Sequence, residues 1–271
     1  MTQDLWLTRH PYLRPIADFH AQVARAARDI PIPCAGIPDW NNYIGDYRKG
    51  IPLLRSSHTA VDLQPAGHLL LSLVEKLHSQ PMHGQFATES RDLGDQLRCE
   101  GDVPHRAIGW LLGNDDFKPA HPGLLRYLGW TAVACYLCPV VDVFGKWRDE
   151  ERWLRPYCPT CGSSPSMAQL TGVDPARRRL LSCGCCSTRW QFRRIGCPFC
   201  ETGDEHQLPS LTIEGENTLR IDYCRSCGAY LKTYIGDGSE SWLLEDWSSL
   251  HLDLIAEDRG LNRTAASLYE L

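Results

Sequence analysis

The sequence predicts an α+β protein: an N-terminal helical domain, two tandem metal-binding ribbon modules and a C-terminal helix. Three observations lead to this prediction. Apolar residues recur at helical spacing before residue 155, eight of the thirteen cysteines form four C-x-x-C pairs after residue 157, and the segments between these pairs alternate like strands. The predicted segments are 1–155 for the helical domain, 156–195 and 196–240 for the ribbons, and 241–271 for the terminal helix.

The composition is ordinary for a soluble protein of 271 residues, with 43% hydrophobic and 23% charged residues. A net charge of −5 argues against a general nucleic-acid binder. The first thirty residues contain no apolar run long enough for a signal peptide, so we expect a cytoplasmic protein. In that reducing compartment, clustered C-x-x-C pairs are more often metal ligands or redox dithiols than structural disulfides.

Helical periodicity defines the elements of the first half. Ile16, Phe19 and Val23 recur on one face between residues 15 and 29. Further helices are predicted at 69–78, 90–99, 104–113 and 122–147, and a breaker-rich loop at 31–38.

The most apolar stretch, 128–144, lies in the longest predicted helix. It is too short for a membrane span and contains Pro139 and Asp142. We therefore interpret it as a buried helix and predict no membrane insertion.

The second half reads as short strands separated by turns. Trp190 and Phe192 alternate with polar residues, which is typical of a strand with one buried face. Hairpins are predicted around turns at 172–176 and 214–217. We call the tight turn at each C-x-x-C pair a knuckle. Each unit then runs knuckle, strand, turn, strand, knuckle, strand, which makes an internal repeat of about forty residues.

The last segment returns to helical spacing. Trp247, Leu250, Leu254 and Ile255 fall on one predicted apolar stripe. Gly260 is suited to end this helix.

The four C-x-x-C pairs can form two four-cysteine sites in three ways. Pairing in sequence order closes loops of 21 and 23 residues, whereas interleaved pairing would knot the loops and nested pairing would leave the outer pairs far apart. Sequential pairing suits zinc-ribbon sites. The predicted ligands are Cys158, Cys161, Cys183 and Cys186 for the first metal ion, and Cys197, Cys200, Cys224 and Cys227 for the second.

The two residues inside each pair allow a tight turn to place both sulfurs on one metal ion. Gly162 and Gly228 follow the second cysteine of two knuckles, where the turn often needs positive φ. The other two knuckles lack this glycine, so we expect them to be less regular. Cys185 is left over, and we interpret it as a tolerated small residue in preference to a spare thiol beside the metal.

The remaining cysteines and the histidines do not indicate a catalytic site. Cys135 and Cys138 form another C-x-x-C, but their apolar helical surroundings favour buried structural thiols over a redox dithiol or a third ligand pair. Cys34 and Cys99 are interpreted as structural. The ten histidines match no metal-binding motif and are expected to be surface or core residues. We therefore predict no catalytic residues.

A basic run at 177–179 continues in Arg189, Arg193 and Arg194. From residue 156 to the end there are 11 Lys and Arg against 15 Asp and Glu, a net charge of −4. We interpret the run as solvated surface. If it contacts a partner, an acidic patch on a protein suits it better than a phosphate backbone.

Four stretches carry a resemblance to a known family: YCPTCGSSP at 157–165, LSCGCCSTRW at 181–190, IGCPFCE at 195–201 and DYCRSCGAYLKTY at 222–234. With the ending EDWSSLHLDLIAEDRG, they resemble the formate dehydrogenase accessory protein family, often called FdhE. The resemblance covers about residues 155–260. The helical half resembles the family only in being helical, and the additional cysteine of CGCC, Cys185, departs from the family pattern.

The resemblance implies a cytoplasmic maturation factor and not an enzyme. Such a factor binds the catalytic subunit of a molybdenum- or tungsten-dependent formate dehydrogenase and is needed for its activity. Its two sites would be rubredoxin-like, with iron or zinc held by the eight paired cysteines, and a homodimer is compatible with it. Two alternatives stay open: a rubredoxin-like iron redox carrier or thiol oxidoreductase, and, disfavoured by the acidic charge, a zinc-ribbon nucleic-acid-binding protein.

Overall fold

The computed structural model describes residues 2–79, 85–99, 102–173 and 176–267, with helices in the first half and a sheet in the second. The predicted α+β class is therefore confirmed. The helices are α1 (Gln3–Arg9), α2 (Arg14–Arg28), α3 (Trp40–Lys49), α4 (Gln64–His78), α5 (Gln85–Arg98), α6 (Val103–Leu111), α7 (Pro122–Trp147), α8 (Glu150–Trp153) and α9 (Leu250–Asp258).

Sequence reasoning missed α1 and α3. Both have local signals at their ends. Thr2 accepts a hydrogen bond from Leu5 N at the start of α1, and Asp39 accepts one from Asn41 N at the start of α3. Helix α3 ends at Gly50, whose φ of 81° is the usual conformation of a helix-ending glycine.

Six strands in the described part of the chain form one mixed sheet in the order β3-β2-β1-β6-β5-β4. Strands β1 and β6 pair in parallel and the other neighbours are antiparallel, so the two predicted hairpin units join side by side. In the predicted turn 172–176, Asp174 and Pro175 lie outside the described residues. The strands are β1 (Met167–Thr171), β2 (Arg178–Ser182), β3 (Arg189–Phe192), β4 (Ser210–Ile213), β5 (Glu216–Tyr223) and β6 (Tyr230–Ile235).

The helical half and the first ribbon share one hydrophobic core. Helices α4 and α7 make the largest helical contributions to it, and Leu181, Trp190 and Phe192 of the sheet belong to the same cluster. The backbone continues this contact, because Leu53 N donates to Pro159 O at 2.8 Å and Leu54 N donates to Thr160 O at 2.9 Å. The predicted segment boundaries themselves stay a prediction.

Helix α7 is, by length and composition alone, long and apolar enough to cross a membrane. Half of its most apolar stretch is buried inside the protein, and twelve residues of the helix are buried. It runs on through Pro139 without a break. In this fold α7 is a core helix, as expected from the sequence.

A second core joins the two ends of the chain. Trp6 and Leu7 of α1 pack with residues of β5, β6 and α9, and Trp6 Nε1 donates to Ser248 O at 3.0 Å. The first five residues of strand β6 are all buried, so neither face of this strand is exposed to solvent.

Lys232 in β6 is only 1% exposed and forms a buried ion network. Its Nζ lies 2.6 Å from Asp246 Oδ1 and 2.7 Å from Asp253 Oδ2. Arg263 pairs with the same two carboxylates, at 2.6 and 2.7 Å. The two cations therefore balance the two anions, as buried charges require.

The C-terminal segment is less helical than predicted. Two 3-10 turns, Ser241–Leu244 and Asp246–Ser249, precede the nine-residue helix α9. Gly260 has a φ of 67° just beyond this helix, which confirms its predicted role. Leu254 is 50% exposed, so its place on the buried stripe was wrong. The 3-10 turns shift the helical phase, and Leu252 and Ala256 face the core instead.

Candidate metal centres

All four C-x-x-C knuckles adopt the same backbone turn. In each, the residue after the second cysteine has positive φ: 82° at Gly162, 57° at Ser187, 60° at Glu201 and 73° at Gly228. The amide of that residue donates to the carbonyl of the first cysteine at 2.8–3.1 Å. The expectation that the knuckles without glycine would be less regular was therefore wrong, since serine and glutamate accept the left-handed conformation there at some conformational cost.

The first four-cysteine group combines the knuckles that precede β1 and β3. Cys158 Sγ is 3.5 Å from Cys186 Sγ, and Cys161 Sγ is 3.4 Å from Cys183 Sγ. All four side chains are buried. These separations are far from the 2.05 Å of a disulfide and close to the value of about 3.8 Å expected between sulfurs around one tetrahedral metal ion.

Hydroxyl groups surround the first group, and those of Thr160 and Thr188 are buried. Thr160 Oγ1 and Thr188 Oγ1 are 2.7 Å apart, and Thr188 Oγ1 is 3.1 Å from Cys186 Sγ. The Ser163 hydroxyl lies 3.2 Å from Cys161 Sγ. Hydroxyl donors next to thiolates stabilise the charge of a four-thiolate site and orient its ligands.

The second group combines the knuckles that precede β4 and β6. Cys197 Sγ lies 3.7 Å from Cys227 Sγ, and Cys200 Sγ lies 3.7 Å from Cys224 Sγ. Cys197 and Cys224 are buried, whereas Cys200 and Cys227 are exposed. The second group therefore opens to solvent on one side, while the first is enclosed between the sheet and the helical half.

Each group can hold a metal ion. Within each, the four sulfurs lie within 4.8 Å of one another, and the sequential combination of the pairs is the one that the structure brings together. Burial raises the pKa of Cys186, and it raises the pKa of Cys197 to about 12. A cation that binds there must displace protons from these thiols, so its affinity falls as the pH falls.

The other cysteines lie differently from what the sequence suggested. Cys185 is fully buried and interacts with Cys161, so it belongs to the surroundings of the first group. Cys135 is partly buried, but Cys138, Cys34 and Cys99 are exposed and do not contribute to the core. Burial raises the pKa of both Cys135 and Cys138, which disfavours a reactive dithiol.

The basic run is not simply solvated surface. Arg178 is exposed, but Arg179, its neighbour in β2, is only 6% exposed, because successive strand residues point to opposite faces. Arg189 is half-buried, and this burial lowers its pKa. The interpretation as solvated surface was thus wrong for these two positions.

The structure also brings together His10, Glu216 and His251, which sequence reasoning missed. His251 Nε2 is 2.8 Å and His10 Nε2 is 3.4 Å from the Glu216 carboxylate. The two imidazole rings stack at 4.7 Å with only 24° between their planes. A cation in the plane of one ring would lie well out of the plane of the other, so this geometry fits a hydrogen-bonded clamp between the chain ends.

Together, the fold and the two groups define a class of protein: a helical domain fused to tandem four-cysteine ribbons in one sheet. A protein of Aquifex aeolicus named FdhE homolog is 34% identical over 254 residues, which is 92% of this chain and 83% of the relative. The chain belongs to the FdhE family.

Other comparisons agree with this assignment. An FdhE homolog of Proteus mirabilis is 27% identical over 73% of the chain and 63% of the relative. The FdhE of Salmonella choleraesuis is 33% identical over 50% of the chain and 45% of its own length. The crystal structure of the FdhE protein from Pseudomonas aeruginosa shares the fold, with a TM-score of 0.64 and 23% identity over 99% of this chain and 96% of that one. No family model matches the sequence.

Proposed function

We propose that this protein is a cytoplasmic accessory factor that binds the catalytic subunit of a formate dehydrogenase and is needed for that enzyme to become active. Membership of the FdhE family is the observation that carries the proposal. The two four-cysteine groups support a role other than catalysis, because four thiolates fill a tetrahedral metal and leave no position for a substrate.

We further propose that each group holds one iron or zinc ion through all four of its cysteines. The enclosed first site then has a structural role, since its knuckle is bonded to the helical half through Leu53 and Leu54. The second site is exposed at Cys200 and Cys227 and supplies a surface for the partner. When the bound metal is iron, it can supply one-electron chemistry without releasing a ligand.

Complementation of a deletion strain tests this function. Wild-type protein should restore formate dehydrogenase activity, and Cys200→Ser or Cys227→Ser, which alter only exposed ligands, should restore much less at equal protein level. Cys34→Ser is the matched control, because Cys34 is an exposed thiol outside both groups. Full formate dehydrogenase activity in the deletion strain without any copy of the gene would contradict the proposal.

The rubredoxin-like redox carrier is the second candidate, favoured by the exposure of the second site. A redox role requires iron, and ferric thiolate sites absorb visible light that a reductant bleaches. Anaerobically purified protein that is colourless and contains only zinc would exclude it, since zinc has no redox chemistry.

A further inference from the structure

A partly open cavity of about 280 Å³ lies beside the second four-cysteine group, on the sheet face that does not pack against α9. Cys197 and Cys224 line it, and so does Phe199 of the knuckle between Cys197 and Cys200. Its floor is formed by side chains of several strands, among them Leu170, Arg179, Arg220, Asp222 and Leu231.

The charges around this cavity are predominantly positive. Among the described residues, four arginines and two carboxylates line it, a net charge of +2 before the sulfurs of Cys197 and Cys224 are counted. The arginines are Arg177, Arg179, Arg194 and Arg220, and the carboxylates are Glu205 and Asp222. Asp222 is already engaged, because Arg220 Nε lies 2.7 Å from its Oδ1 and Thr233 Oγ1 donates to its Oδ2 at 2.8 Å.

Arg179 is the buried cation of this cavity. Asp222 and Cys197 act on it electrostatically, but no carboxylate of the described residues bonds to its guanidinium. Its Nη1 donates to Gly196 O at 2.8 Å, and its guanidinium lies 5.9 Å from the Phe192 ring. Its Nε is buried and has no hydrogen-bond partner in the described part of the chain. A buried guanidinium that is not directly bonded to an anion is costly, and an anion that bonds to its free Nε–H lowers that cost.

We infer that this cavity binds a small organic anion, whose phosphate or carboxylate group is held by Arg179 and whose apolar part rests against Phe199. Guanidinium groups bind both kinds of oxyanion through paired N–H donors. A partly enclosed volume whose walls carry several cations and a few apolar side chains suits a small anion better than a protein surface. The inference goes beyond the proposed function and does not depend on it.

Calorimetry on the metal-loaded full-length protein at fixed ionic strength tests the inference with three probes. Phenyl phosphate and benzoate share a ring and differ in the anionic group, so they separate a phosphate ligand from a carboxylate ligand. Inorganic phosphate measures what the ring adds. We expect one ring-bearing probe to bind one to one, and more tightly than inorganic phosphate.

Three variants locate the binding. Arg179→Gln should weaken it by about tenfold or more, as the loss of a charge-assisted hydrogen bond does. Arg178→Gln is the matched control, because this neighbour is exposed on the other sheet face, and binding should not change. Ser210→Glu places a carboxylate at the exposed edge of the cavity and should weaken binding about threefold or more, which keeps the test valid if Arg179→Gln does not fold.

Absence of saturable binding of all three probes to the wild-type protein would overturn the inference. Equal affinity in the wild type and in both cavity variants would do the same. If no probe binds and Arg179→Gln instead loses metal from the second group, the arginine serves to balance the thiolate charge and the inference is wrong.

Discussion

Lys232→Met removes one cation from the buried ion network and leaves Arg263 alone with Asp246 and Asp253. The lysine is 1% exposed and the two carboxylates are 5% and 4% exposed, so water cannot replace the lost partner. Breaking a buried ion pair by removing one member costs about 3–5 kcal/mol. At about 2–4 °C per kcal/mol for a chain of roughly this size, we expect the melting temperature to fall by about 10 °C.

Urea unfolding and calorimetry of the metal-loaded protein measure this change. Lys76→Met is the control, because that lysine is 41% exposed and 3.8 Å from Asp29, and we expect a change below about 0.5 kcal/mol. Adding Asp253→Asn to Lys232→Met should restore part of the lost stability by removing the uncompensated charge. A loss of less than about 1 kcal/mol in Lys232→Met would refute this reasoning.

Three further predictions concern the metal ions, acid and the knuckles. Cys158→Ser and Cys197→Ser should each lower the metal content from two ions to one per chain, measured by elemental analysis, whereas Cys135→Ser should keep two; an unchanged content in the first two variants would disprove the ligand assignment. Burial opposes ionisation of Asp246, but Lys232 and Arg263 hold its pKa well below the usual 3.8. Its contribution to stability is therefore present above about pH 4 and lost as the pH falls further, and Asp246→Asn should show a flatter acid denaturation curve than the wild type. Glu201→Gly should raise the free energy of unfolding by about 0.5–1 kcal/mol, because glycine adopts the φ of 60° without strain; a lower melting temperature would count against this.

The cysteine groups could be predicted from the sequence because their geometry is local. Two residues between cysteines fix each knuckle, and the loop lengths then favour pairing in sequence order. The segments between the cysteine pairs also predicted both hairpins and the succession of strands along each unit. The regularity of the knuckles at Ser187 and Glu201 was not predictable from residue type, because the turn's hydrogen bonds impose the backbone conformation there.

The features that were missed depend on contacts between distant parts of the chain. Nothing near Lys232 in the sequence shows that Asp246, Asp253 and Arg263 will surround it. The clamp of His10, Glu216 and His251 likewise joins the two ends of the chain with a strand of the second ribbon. The joining of both ribbons through β1 and β6 produces a single sheet, whereas the repeat in the sequence describes each unit separately.

The association with formate dehydrogenase is the central claim, and affinity purification from the native host tests it most directly. The tagged protein would be isolated anaerobically from cells grown on formate, and its partners identified by mass spectrometry, with Cys200→Ser purified in parallel. We expect the catalytic subunit of a formate dehydrogenase as the dominant partner of the wild type, and less of it with the variant. RNA polymerase, nucleic acid or no specific partner would contradict the proposed function.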